Sequence, residues 1–299
     1  MPRFVQAPVT VTVPATSANL GPGFDSFGLA LGVYDEVRAQ VTEHGLRIDV
    51  SGDGAGTLPS DERHLVASSM RAAFDLLGGQ PPGLALSCRN TIPQGRGLGS
   101  SAAAIVAGIQ AAKSLCHNGN EVLDDATTAS LAVQLEGHAD NVVPCLFGGF
   151  TIAWTEPPQT RWIRLDPHPD VVPVMFVAPD LLSTQAARAL LPSSVLHADA
   201  AANAARAALL AVAISRSPDH LLAATADRLH QSYRAAAMPD SAALMSGLRG
   251  EGVAAVISGA GPSVLALTRP ELASAICAHV PARWRCQVTS IDSGGATTR

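Results

Sequence analysis

Apolar and polar residues alternate at the start of the chain. Val9, Val11 and Val13 are spaced by threonines, Val37, Ala39 and Val41 by polar residues, and Leu46, Ile48 and Val50 repeat the rhythm. A period of two turns one face of each segment toward a core and predicts three half-buried strands. The spacing then becomes helical. Leu65, Val66, Met70, Ala73, Phe74 and Leu77 fall on one helix face, with Ser60 as the expected cap and Gly78, Gly79, Pro81 and Pro82 as the stop. Leu84 to Cys88 predicts a further strand. A helix opened by Ser100 or Ser101, one of which serves as its cap, reaches about Leu115, and another helix ends near Glu136.

Prolines interrupt the pattern between Glu156 and Pro173, which makes this stretch the expected passage between two domains, 1–160 and 161–299. The second half predicts a strand (Val171 to Ala178), an alanine-rich helical region (Ala198 to Ile214) and more helices to about Arg249. Strands at Val253 to Ile257 and Ser263 to Leu267, a helix after Pro270 and a strand from Trp284 to Ile291 complete it. Strands and helices do not alternate strictly and no repeat is visible. The expected class is therefore α+β in two domains.

Composition narrows the function. With 299 residues, 47% hydrophobic and 15% charged, the chain can bury a substantial core. Its 20 basic residues are scattered and the net charge is -5, which disfavours nucleic acid as a partner. No apolar run approaches the roughly 20 residues of a membrane span, and MPRFVQAPVT lacks the apolar core of a signal peptide, so no membrane association and a cytoplasmic location are expected. Cys88, Cys116, Cys145, Cys277 and Cys286 are odd in number and widely spaced, and are expected to be reduced.

The most informative segment runs from Pro93 to Ala104, PQGRGLGSSAAA. Gly95, Gly97 and Gly99 can adopt backbone angles closed to other residues, so their amides can converge on an anion at the positive end of the helix that follows. A nucleotide polyphosphate suits such a loop. It lacks the Lys-Ser/Thr ending of a Walker A loop and the spacing of G-x-G-x-x-G, which disfavours both assignments. Taken alone, the segment leaves a plain strand-to-helix connection open.

Three segments in order, PATSANLGPGFDSFGLAL (Pro14 to Leu31), PQGRGLGSSAAA and SGAGPSVLAL (Ser258 to Leu267), resemble the signature motifs of the GHMP small-molecule kinases. Within that family, EGHADNVVP (Glu136 to Pro144), STQAARALLP (Ser183 to Pro192) and DRLHQSYR (Asp227 to Arg234) are similar to the members that phosphorylate L-homoserine. The resemblance covers nearly the whole chain. It implies an N-terminal S5-like domain, a C-terminal ferredoxin-like domain and ATP with Mg2+. It further implies L-homoserine as the small-molecule substrate, in a step toward threonine, and a homodimer. The shared phosphate apparatus leaves mevalonate, a sugar or shikimate as alternative acceptors, and a non-catalytic small-molecule binder on the same fold as another reading.

The resemblance also implies roles. Pro93, Gly95, Arg96, Gly97, Leu98, Gly99, Ser100, Ser101 and Ala102 would hold the phosphates of ATP, with His64 near adenine where many relatives carry asparagine. Ser101 and Glu136 would ligate magnesium, which takes oxygen donors and borrows the rest from water and phosphate. Asn19 and Asp25 would line the hydroxyl pocket, with Asp25 the candidate to orient the hydroxyl and accept its proton. An amino acid also presents a carboxylate and an ammonium. Arg188 and Arg234 would clamp the first, with Thr184 on the same helix face as Arg188, while His138, Asp140 and Asn141 face the second. Gly259 and Gly261 belong to a tight turn between two strands and would support the substrate region.

Overall fold

A computed structural model describes residues 2–157 and 159–299. The first part contains β1 (Val9–Ala18), β2 (Phe27–Thr42), β3 (Gly45–Gly52), α1 (Leu65–Leu76), β4 (Gly83–Asn90) and α2 (Ser100–Leu115). It continues through α3 (Gly119–Val122), α4 (Asp125–Glu136), α5 (Ala139–Phe147), β5 (Phe150–Glu156) and β6 (Gln159–Leu165). The second part contains β7 (Val172–Val177), α6 (Thr184–Ala189), α7 (His197–Ser215), α8 (Leu221–Ala224), α9 (Gln231–Arg234) and α10 (Pro239–Gly250). After β8 (Ala254–Ile257), β9 (Val264–Thr268), α11 (Pro270–Cys277) and β10 (Arg285–Val288), the short β11 (Thr297–Thr298) returns to the first sheet.

The alternating valines of β1 point Val11 and Val13 into the core, and β1 pairs antiparallel with β2 and, on its other edge, β11. The order β11-β1-β2-β4-β3 is extended by β5 on the start of β2 and by β6 on β5, making among the described residues seven strands with only β3 and β4 parallel. Beyond a bulge at Pro14/Ala15, β1 is buried on both faces, between the sheet and the alanine-rich α2. Small side chains allow α2 to approach closely. At Gly108 any side chain would strike the Val66 carbonyl of α1.

The second sheet has the antiparallel order β10-β7-β9-β8, the fourth, first, third and second strands of its part, with α10 and α11 against it. Phe176, Ile257, Val264, Leu248 and Trp284 fill this smaller core. The two parts meet where β1 ends. Gly259, in the β8–β9 turn, donates its amide to the Ala18 carbonyl, and the Ser258 hydroxyl bonds Ser17 Oγ and the Gly97 carbonyl.

Several expectations change. A boundary at 160/161 falls inside β6, which pairs with β5 through Thr155↔Thr160, so the passage between the sheets shrinks to 166–171. Helix α1 starts at Leu65 with His64 as its cap residue, four residues after Ser60, because a turn between Asp61 and His64 intervenes. Cys277 and Cys286 form a disulfide, since the chain returns from α11 to the neighbouring edge strand and leaves their Cα atoms 5.6 Å apart. Cys88, Cys116 and Cys145 are free and buried. Among the described residues, α7 does have the length and hydropathy of a membrane span, 19 residues at mean hydropathy 1.2. Alanines supply that score, while Asp199 pairs with Arg228 and Asn203 donates to the Pro22 carbonyl.

Asp35 of β2 accepts bonds from the Thr91 and Ile92 amides through a single oxygen, Oδ1, at 2.6 and 2.8 Å. Burial outweighs those bonds and pushes its carboxyl up to about 6. A folded value above the unfolded one means the fold holds an extra proton between roughly pH 4 and 6, and the associated stability is lost as pH rises through that window. Asp35→Asn keeps an acceptor for both amides and removes the charge. It is expected to raise the unfolding free energy by about 1–3 kcal/mol at pH 8, with the gain fading toward pH 4, as measured by denaturant titration without nucleotide.

Candidate active site

The site begins where β1 runs out. Asn19, Leu20 and Asp25 hold left-handed φ values of 68°, 49° and 56°, each costing about 1–2 kcal/mol relative to ordinary backbone. Tertiary bonds over-determine this loop. Asn19 Nδ2 donates to the Gly259 carbonyl at 3.0 Å, while Asn19 Oδ1 accepts the Asp25 amide at 2.9 Å. The loop is thus tied to the second part, and Asp25 is set in place by its own backbone.

Across the cleft, Gly95, Gly97 and Gly99 adopt φ values of 63°, 75° and 70°. A side chain at Gly97 would collide with the Ser258 carbonyl, and one at Gly99 with Thr16 Oγ1, so both need glycine for space as well as angle. Gly99 is itself the cap residue of α2. Ser100 and Ser101 occupy the first two helical positions, so neither serves as the cap expected of one of them. Their hydroxyls are left for the cleft.

Ser101 donates to Glu136 Oε2 at 2.6 Å. Glu136 is the last residue of α4, where the helix dipole disfavours an anion, and burial pushes its carboxyl above the usual range against the pull of the Ser101 hydroxyl. A hydroxyl and a half-buried carboxylate at the mouth of the phosphate loop form an all-oxygen donor pair that lacks positive charge. That chemistry fits magnesium.

A cavity of about 80 Å³ is lined by residues from both parts, including Asn19, Asp25, Gly95, Gly97, Gly99, Ser100, Ser101 and Glu136 from the first. His138, Asp140, Asn141, Thr184, Arg188, Arg234, Gly259 and Gly261 line it as well. Ser183 caps α6 by accepting the Ala186 amide, so Thr184 is not the cap and faces the cavity one turn before Arg188. Arg188 grips Asp25 with two bonds, Nη1 to Oδ2 at 2.9 Å and Nη2 to Oδ1 at 2.6 Å. The guanidinium groups of Arg188 and Arg234 both lie within cation–π reach of the Phe24 ring, 5.6 and 5.4 Å from its centroid.

Arg234 is only 2% exposed, and among the described residues no carboxylate lies within ion-pair distance of it. Its Nε donates to the Ala187 carbonyl, and its Nη1 is 3.3 Å from His230 Nδ1. His230 Nε2 lies 2.8 Å from the Gly21 carbonyl and therefore carries the proton, which leaves Nδ1 to accept from Arg234. Burial, and then the charge of Arg188, lower the Arg234 pKa. A buried cation whose direct partners are an aromatic ring and neutral acceptors, with Asp25, Asp227 and Asp140 acting on it only at longer range, suits an anion.

His138 Nδ1 lies 3.0 Å from Asp140 Oδ1, close enough for charge attraction but off the line of a good hydrogen bond. Asp140 raises the imidazole pKa against the effect of burial. Asn141 Oδ1 accepts from the Thr16 hydroxyl. The remaining expected residues lie elsewhere. Pro93 lines a separate groove, Leu98 and Ala102 are in the core, and Arg96 donates to the Gln94, Ala178 and Pro179 carbonyls, tying the loop to the second part.

His64 lines a second, more apolar cavity of about 170 Å³ that shares Ser100 and Ser101 with the phosphate loop. Both ring nitrogens lack partners among the described residues, and burial lowers the imidazole pKa. Leu58, Val66, Ala104 and Asp35 line this cavity too; of these the sequence pattern places Val66 on a helix face and Ala104 at the end of the phosphate-loop segment, and none as a site residue. Phe24 and His230 were also missed. Both lie inside motifs of the sequence, but an aromatic ring within reach of two arginines is visible only in three dimensions.

Residues 64–149 match the family described as GHMP kinases N terminal domain, and residues 199–286 match GHMP kinases C terminal. The homoserine kinase of Streptomyces coelicolor is 56% identical over 296 residues, 99% of this chain and 96% of that protein. The chain belongs to the GHMP kinase family. The homoserine kinase of Leifsonia xyli subsp. xyli is 49% identical to this GHMP kinase, over 97% of this chain and 91% of that one. Among solved structures, homoserine kinase from Cytophaga hutchinsonii superposes with a TM-score of 0.87 at 27% identity, covering 99% of this chain and 100% of that chain. Mevalonate diphosphate decarboxylase from Staphylococcus aureus, at TM-score 0.73 and 14% identity over 98% of each chain, shares the fold alone. This GHMP kinase is thus an ATP-dependent phosphotransferase with the expected two-domain α+β fold.

Proposed function

We infer that this GHMP kinase transfers the γ-phosphoryl group of ATP to the side-chain hydroxyl of L-homoserine, giving O-phospho-L-homoserine and ADP. One observation carries the choice of acceptor: Arg234, buried and among the described residues without an ion pair, shares the phosphate-loop cavity with Arg188 and with Asp140, a set that suits a carboxylate and an ammonium together, as mevalonate and shikimate do not offer. An acceptor with a carboxylate completes that site, whereas a neutral sugar leaves the charge uncompensated. Two relatives of high identity that bear the name homoserine kinase support the same reading.

Phosphoryl transfer asks mainly for in-line positioning and charge stabilisation. The amides around Gly95, Gly97 and Gly99 receive the phosphates, and the apolar cavity beside His64 receives the base. The guanidinium groups of Arg188 and Arg234 orient the substrate carboxylate, and Asp140 faces the ammonium. Asn19 holds the Asp25 backbone, so that the Asp25 carboxylate can receive the hydroxyl proton as oxygen attacks phosphorus. Ser101 and Glu136 would hold magnesium, which when bound supplies positive charge to the phosphates.

The test is ADP release with ATP, Mg2+ and a panel of homoserine, mevalonate, galactose and shikimate. Homoserine is expected to be the preferred acceptor by about 10²-fold or more in kcat/KM, the discrimination available when buried polar groups would otherwise go unpaired. Turnover of mevalonate without turnover of homoserine would overturn the reading.

A further inference from the structure

We infer that this kinase also takes 6-oxopurine triphosphates such as ITP as phosphoryl donor, because the base cavity is read by His64, an imidazole whose proton no protein group fixes to either nitrogen. This rests on the reading of the cavity beside His64 as the base site. His64 is only 4% exposed, yet among the described residues neither of its ring nitrogens has a hydrogen-bond partner. Leaving both unpaired costs stability. The backbone there is well held, since the His64 amide donates to the Asp61 carbonyl and its carbonyl accepts the Ser68 amide, while the ring makes no capping bond to α1. A buried ring with two unpaired polar atoms on a cavity wall points to a ligand that supplies their partners.

The neighbouring polar groups are committed elsewhere. Arg63 is forked by the Asp61 carboxylate, the Asn90 side-chain amide donates to the Asp53 carbonyl, and Asp35 accepts the Thr91 and Ile92 amides. Gln94, Ser100 and Ser101 belong to the phosphate-loop edge of the cavity, and the rest of its lining is apolar. An apolar wall accepts any purine ring. The choice among purines therefore falls to His64.

A neutral imidazole carries one donor and one acceptor, and the partners it meets set which nitrogen holds the proton. Burial lowers the His64 pKa, so the ring is neutral near neutral pH. Adenine presents a 6-amino donor, whereas hypoxanthine presents a 6-oxo acceptor in the same place. The same ring nitrogen can accept from the first or donate to the second. The transfer itself is unchanged with ITP: the homoserine hydroxyl oxygen bonds the γ-phosphorus, the bond from phosphorus to the bridging oxygen breaks with its electrons staying on IDP, and the hydroxyl proton is released to solvent.

The test measures O-phospho-L-homoserine formation with Mg2+, homoserine and either ATP or ITP. For the wild-type enzyme, kcat/KM for ITP is expected within about tenfold of that for ATP, since neither base leaves the imidazole unpaired. His64→Leu is expected to raise KM about tenfold or more for both nucleotides, with KM for homoserine nearly unchanged and a denaturation midpoint at or above wild type, two unpaired polar atoms having been removed. His64→Gln, which again offers a donor and an acceptor, is expected to recover most of the loss for both. A purely structural His64 predicts instead a lowered midpoint and losses in both nucleotide and homoserine. Rejection of ITP by more than about 10²-fold overturns the proposal, as does a His64→Leu enzyme that loses ATP alone. The ITP arm needs no variant and can sink the idea even if His64→Leu misfolds. Unchanged KM for both nucleotides in folded His64→Leu would show that the base binds elsewhere, a failure of the base-site reading distinguishable from rejection of ITP by the wild type.

Discussion

Arg234→Met is expected to lower kcat/KM for homoserine about 10³-fold and to leave KM for ATP within about threefold of wild type. The magnitude follows from the cost of breaking a desolvated pair by removing one partner, about 3–5 kcal/mol, here with the substrate carboxylate as the group left unpaired. ATP is spared because its phosphate loop and its base cavity are built from other segments. The fold should be spared too. Arg234 is 2% exposed and among the described residues makes no direct ion pair, so an apolar side chain of similar length relieves desolvation and offsets the lost bonds to the Ala187 carbonyl and His230 Nδ1. Steady-state kinetics in each substrate and a denaturation midpoint separate these effects. Equal losses for homoserine and ATP, with a lowered midpoint, would show that Arg234 supports the fold and does not receive the acceptor.

Glu136→Gln is expected to reduce kcat about 10²- to 10³-fold and to raise the magnesium concentration needed for half-maximal rate, with KM for homoserine nearly unchanged. Removing one preorganised electrostatic contact in a partly dry site typically costs that much. Glutamine keeps the shape and can still accept from the Ser101 hydroxyl, so the change isolates the charge. It also removes an anion from the end of α4, where burial already opposes its ionised form. The variant should therefore be at least as stable as wild type. A magnesium titration that superposes on wild type would remove Glu136 from metal binding.

Much of this architecture follows from rules that act over a few residues. Alternation placed β1, β2 and β3, helical spacing placed most of α1, and glycine at every second position marked the phosphate loop, because each signal reflects the geometry of neighbouring backbone units. The same short range explains the failures. Ser60 lost the cap of α1 to an intervening turn, and Ser100 and Ser101 lost that of α2 to Gly99, whose left-handed conformation begins the helix directly. Strand β6 was hidden in a proline-broken stretch because its pairing with β5 comes from a neighbour and not from its own pattern. The disulfide was missed because Cys277 and Cys286 approach only when the chain doubles back from α11.

Local patterning along the chain pointed to the α+β class and the phosphate loop, since backbone angles and burial periodicity are written in adjacent side chains, while the resemblance of whole motifs named the residues a kinase would need. Which charges meet was settled across the fold. Asp25 with Arg188, Ser101 with Glu136, and Arg234 left without a carboxylate depend on approaches between segments tens to hundreds of residues apart. Electrostatic partnership depends on distance and desolvation, and neither exists until the chain has packed.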